Sequence, residues 1–113
     1  MNKTRTLKVC IAGLGTVGSS FINSLIKNRQ LILQKINTEF KIQAISAKNK
    51  SKKRIFDINK YQWKDDPFEL VKNTNCDIFI ELIGEEKGLS FDLVKKALEN
   101  HIHVITANKA MLS

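Results

Sequence analysis

Residues 7–18 constrain this chain more than any other stretch. LKVCIA at 7–12 is a short apolar run with β-branched members that ends at a glycine, the pattern of a buried strand. Gly13-Leu14-Gly15-Thr16-Val17-Gly18 follows without a gap. From Thr16 the apolar spacing changes: Val17, Phe21, Leu25 and Ile26 fall three to four residues apart and mark one face of a helix. A strand that passes through a glycine turn straight into a helix is the opening unit of an α/β fold.

The rest of the chain repeats that alternation. The helix is expected to break near Asn28 to Gln30 and to resume through Leu31, Leu33 and Ile36. FKIQAISA at 40–47 alternates as a second strand, with Phe40, Ile42, Ala44 and Ser46 on one face and Lys41, Gln43, Ile45 and Ala47 on the other. Residues 48–64 have weak periodicity and many charges, and read as a loop with at most a short extended piece. Asp65-Asp66-Pro67 starts a short helix ending near Asn73, because proline suits the first helical position and an aspartate there accepts from free N–H groups. DIFIELI at 77–83 is a third strand, stopped by Gly84. A helix over 89–100 carries Leu89, Leu93, Val94 and Ala97 near one stripe, and HVIT at 103–106 is a fourth strand. Strands apolar on both faces and separated by helices predict an α/β fold: a doubly wound, mostly parallel sheet with helices on both faces, Rossmann-like, as one domain over 1–113.

Each glycine of the turn has a physical task. Gly13 permits the tight exit from the strand, Gly15 presents no Cβ to an approaching pyrophosphate, and Gly18 lets the helix pack closely. Free N–H groups and a partial positive charge at the helix start suit phosphate, so the turn predicts dinucleotide binding. In such sites an acid about 20 residues past the glycines accepts from the ribose 2′-hydroxyl of NAD. Here the second strand runs into Ser46-Ala47-Lys48-Asn49-Lys50, and no carboxylate comes before Asp57. The lysines favour a 2′-phosphate, hence NADP over NAD, with Lys48 the leading candidate and Lys50 the second.

The formal net charge of +8 is unevenly spread: residues 1–40 carry +5, residues 41–64 carry +7, and residues 65–113 carry −4. Tyr61 and Trp63 lie near the basic stretch, but two aromatics do not make a stacking platform for nucleic acid, so no nucleic-acid partner is expected. No apolar run approaches the roughly 20 residues of a bilayer-spanning helix. The polar, basic N-terminus lacks a signal-peptide pattern, and Cys10 and Cys76 sit in apolar segments as buried free thiols, which together predict a cytoplasmic chain. His101 and His103 read as turn and strand residues, and no metal site is expected.

Five pieces together resemble the cofactor-binding domain of the homoserine dehydrogenases: GLGTVG at 13–18, SAKNK at 46–50, the DDP before the short helix, ELIG at 81–84 and HVITANKAMLS at 103–113. The resemblance implies NAD(P)-dependent interconversion of L-homoserine and L-aspartate 4-semialdehyde, in threonine, methionine and isoleucine synthesis. It implies that Gly13, Leu14, Gly15, Thr16, Val17 and Gly18 hold the pyrophosphate. Ala47 and Lys48 would lie by the adenosine ribose, and Gly84, Thr106 and Asn108 by the nicotinamide. Lys109 would face cofactor and substrate as the chain's candidate catalytic residue. Two positions depart from the family: Glu85 stands where a second glycine usually follows ELIG, and Asn100-His101 where the last helix usually ends in glycine, with the asparagine expected to take the left-handed conformation of the helix end. The resemblance covers only the cofactor half. A substrate domain with the principal catalytic residues is expected beyond Ser113, the chain alone is expected only to bind nucleotide, and a homo-oligomer is expected. A non-catalytic nucleotide-sensing module is the alternative.

Overall fold

The computed structural model describes residues 3–72, 75–83 and 87–107. The chain runs β1 (Arg5–Ala12), α1 (Thr16–Lys27), α2 (Arg29–Ile36), β2 (Thr38–Ser46), a 3₁₀ turn (Ile58–Lys60), β3 (Gln62–Trp63), α3 (Phe68–Lys72), β4 (Ile78–Glu81), α4 (Lys87–Glu99) and β5 (His103–Thr106). The five strands stand in the order β3-β2-β1-β4-β5, and every neighbouring pair is parallel. The short extended piece of the charged loop is therefore an edge strand. Since all strands point the same way, their carboxyl ends share one edge of the sheet. The winding reverses between β1 and β4.

Alternate side chains of the central strands feed two cores. Val9, Ile11, Leu14, Ile45 and Ile80 pack with Ile22 of α1 on one face. Cys10, Ala12, Ala44 and Phe79 pack with Leu70 and Val71 of α3 and with Leu93 and Ala97 of α4 on the other. Helices thus cover both faces, as the apolar strands required. The first helix breaks at Asn28, whose N–H and side-chain amide both donate to the Ser24 carbonyl at 2.9 Å. Asp66 starts α3 by accepting from the Phe68 N–H at 3.0 Å.

Three local expectations are corrected. In β2 the face assignment fails because the β1 ladder shifts register between Val9 and Cys10, which pair with Ile42 and Ala44 and leave Gln43 as a bulge. Phe40 and Ile42 consequently pack with Ile45 and Ala47, not with Ala44. In α1 the buried positions are Gly18 and Ile22, while Val17 and Ile26 are exposed. Gly18 sits against the Gly13 carbonyl, which sets the rotation of the helix and turns Ile22, one turn later, into the core. At the end of α4 the left-handed residue is His101 (φ 60°), not Asn100. The Asn100 amide instead donates to the Val71 carbonyl at 2.6 Å and ties α4 to α3.

Cys10 and Cys76 are free thiols of the same core cluster. The hydrogen bond between them, and then burial, push the Cys10 thiol far up, while the same bond holds Cys76 below its ordinary value against the opposing effect of burial. No helix among the described residues is long and apolar enough to cross a membrane.

Candidate functional site

A cleft of about 500 Å3 opens over the carboxyl ends of β2, β1 and β4, spanning the point between β1 and β4 where the winding reverses. Two hydrogen bonds extend the sheet into its floor: the Gly13 N–H donates to the Ser46 carbonyl and the Leu82 N–H to the Ala12 carbonyl, each at 2.8 Å. Gly13 adopts φ +99°, and a Cβ there would stand 2.5 Å from the Leu82 backbone. A Cβ on Gly18 would stand 2.1 Å from the Gly13 carbonyl oxygen. Around Gly15 the situation is opposite, for a Cβ there would meet nothing within 4 Å. That is open space against bare backbone at the start of α1, whose first turn carries no acid and whose N-cap makes no side-chain hydrogen bond. The N–H groups of such a first turn have no intrahelical acceptor. The Ser19 hydroxyl donates back to the Leu14 carbonyl at 2.9 Å and braces the turn. These features suit an anionic group seated on the turn.

The loop after β2 forms the opposite wall and is wound around Arg54. Its guanidinium donates to the carbonyls of Lys48 (3.1 Å), Asn49 (3.0 Å), Lys50 (3.3 Å) and Lys52 (3.0 Å). It also lies 5.6 Å from the Trp63 ring centroid. Asn49 takes the left-handed conformation that closes the turn (φ 53°). Lys48, Lys52 and Arg54 line the cleft, and Lys50 stands over Trp63 instead, 5.9 Å from its centroid. Among the described residues the acid on the lining is Asp65, which accepts from the Trp63 indole N–H at 2.9 Å. The wall by the loop is therefore electropositive.

The expected site residues divide into three groups. Gly13, Leu14, Gly15, Ala47 and Lys48 line the cleft, with the Leu14 side chain turned into the core. Thr16, Val17 and Gly18 belong to the first turn of α1 rather than to the lining, and Thr106 donates its hydroxyl to Glu81 Oε1 at 2.6 Å. Gly84, Asn108 and Lys109 lie outside the described residues. The sequence pattern does not single out two further side chains, Arg54 and Glu81. Arg54 was one basic residue among many. Glu81 carried a signal, a lone charge within an otherwise apolar strand end, and it is fully buried.

Residues 13–113 match the family described as homoserine dehydrogenase, NAD binding domain. The chain belongs to that family. A homoserine dehydrogenase of Pseudomonas aeruginosa is 36% identical over 96% of this chain, and one of Methylobacillus glycogenes is 33% identical over the same share. The chain spans about a quarter of those relatives, 24% and 26% of their lengths. The crystal structure of S. aureus homoserine dehydrogenase at pH 6.0 superposes with a TM-score of 0.83 at 37% identity, covering 94% of this chain and 27% of that one. As a homoserine dehydrogenase NAD-binding domain, the chain has the fold of a nicotinamide dinucleotide module.

Proposed function

We propose that this domain is the cofactor-binding part of an NAD(P)-dependent homoserine dehydrogenase and that it prefers NADP. The observation that carries the reading is the open backbone at Gly15 facing a wall of Lys48, Lys52 and Arg54. In this reading the turn from Gly13 to Gly18 holds the pyrophosphate, and Ala47 and Lys48 flank the adenosine ribose. The lysines take the 2′-phosphate as point charges, in a loop that Arg54 keeps folded by binding its carbonyls. Thr106, Gly84 and Asn108 serve the nicotinamide side, and Lys109 faces the reacting atoms.

The dinucleotide supplies or accepts the hydride exchanged between L-homoserine and L-aspartate 4-semialdehyde. The chain's own work is to seat it, to neutralise its phosphates and to orient its nicotinamide end. Turnover in threonine, methionine and isoleucine synthesis then requires a substrate domain such as the longer relatives have room for, acting in the cytoplasm and as a homo-oligomer. A titration of the 113-residue chain with NADPH and NADH, by ligand fluorescence, tests the reading. NADPH should bind about tenfold more tightly, as expected for one charge-assisted contact, and Lys48→Glu should erase the difference. Equal affinities in the parent defeat the NADP preference, and binding of neither defeats the cofactor role.

A further inference from the structure

Glu81 ends β4 with its side chain completely buried, 0% exposed, on the face covered by α4. Its carboxylate accepts three hydrogen bonds from three segments. Oε1 takes the Thr106 hydroxyl at the end of β5 (2.6 Å), and Oε2 takes both the Ile83 N–H (2.7 Å) and the buried Ser90 hydroxyl of α4 (3.1 Å). The Glu81 carbonyl also accepts from the Ala107 N–H at 3.2 Å. Among the described residues no basic side chain forms an ion pair with it. Burying a charge this way is costly, and a well-packed apolar residue would hold a sheet as firmly. What an apolar residue cannot do is fix the direction of three donors at once. Leu82 and Ile83, immediately after it, form the cleft wall on the β4 side, across the switch point from the basic loop.

We propose that Glu81 is a positioning residue for the nicotinamide half of the cofactor: it clamps the ends of β4 and β5 to α4, so that the Leu82–Ile83 wall keeps one shape. This rests on the cofactor reading above, in which the nicotinamide end lies over β4 and β5. It acts through that wall, and it leaves the adenosine end, across the switch point over β2, untouched.

The test uses the 113-residue chain with two probes, NADPH and adenosine 2′,5′-bisphosphate, which carries the adenosine end but no nicotinamide. Glu81→Gln keeps the shape but removes the charge and turns one acceptor into a donor, so that its amide N–H either stands against the Ile83 N–H or forces the Thr106 hydroxyl to turn and accept. It should weaken NADPH binding about tenfold while changing the bisphosphate by less than about twofold. Ser90→Ala removes one donor and keeps the carboxylate, so it should give a smaller loss with the same selectivity, and it carries the test alone if Glu81→Gln does not melt cooperatively. Equal losses for both probes, or none for either, overturn the positioning role. A parent chain that binds neither probe overturns the cofactor reading itself.

Discussion

At the scale of single residues, the glycine turn separates folding from binding. Gly15 lies at φ −72°, open to any L-residue, and its Cβ would point into empty space. Gly15→Ala should therefore leave stability unchanged or raise it by up to about 1 kcal/mol, yet abolish measurable NADPH binding, because the methyl takes the place of the phosphate. Gly18→Ala drives a methyl into the Gly13 carbonyl and should cost about 3 kcal/mol in urea unfolding. The reverse pattern would mean that the anion does not sit at Gly15. The spacing of these glycines was legible because their roles are local. Glu81 was not, since its partners include Ser90 and Thr106 and only the folded sheet brings them together; Arg54 bonds within six residues, but nothing in a run of basic residues marks which one turns inward to the loop's carbonyls.

At the scale of elements, β2 shows how one residue can mislead a pattern. Phe40, Ile42, Ala44 and Ser46 satisfy a two-residue period, and the period is the right rule for a regular strand. The bulge at Gln43 exchanges the faces halfway along, so the second half of the strand reads in the opposite sense. Removing Gln43 leaves FKIAISA, a regular strand that keeps Phe40, Ile42 and Ile45 on the α1 face and Ala44 on the other. This deletion should change stability by less than about 1 kcal/mol. Removing Ala44 instead gives a strand of the same length with the Gln43 amide in a core position, and should cost about 3 kcal/mol. Thermal melts of the two deletions compare them directly, and equal losses would show that the bulge itself is required. The boundaries of α1 and β5 and the end of α4 were legible because each has a strong period or a clear stop, whereas α4 starts at Lys87, two residues before the first residue of its apolar stripe. The face of α1 was not, because a small residue, Gly18, set it by contact rather than by hydrophobicity.

At the scale of the whole molecule, alkaline pH should separate the buried groups. Cys10 is raised by its hydrogen bond to Cys76 and by burial, and Tyr61 is raised by burial and by the charge of Asp57. Both keep their protons in the folded chain when the unfolded chain releases them, so stability falls as pH climbs past the ordinary 9.0 of a thiol and 10.0 of a phenol. Cys76, lowered by the bond from Cys10, works the other way and adds stability as pH rises towards 9.0. Melting temperatures between about pH 7 and about pH 11 should thus climb slightly and then drop, and the double variant Cys10→Ala/Cys76→Ala, which removes both thiols, should leave only the part of the drop due to Tyr61. An undiminished drop in that variant would assign the loss elsewhere. Neither the thiol contact nor the place of the short extended piece as edge strand β3 was legible, for both depend on which strands become neighbours. The order of those neighbours also sets a timetable for synthesis. Val9 pairs with Ile42 on one side and Ile78 on the other, so the central strand leaves the ribosome long before its second partner exists. Until β4 arrives, an apolar strand has one side bare, open to pairing with another nascent chain, and completion of the sheet waits on a late, non-local closure.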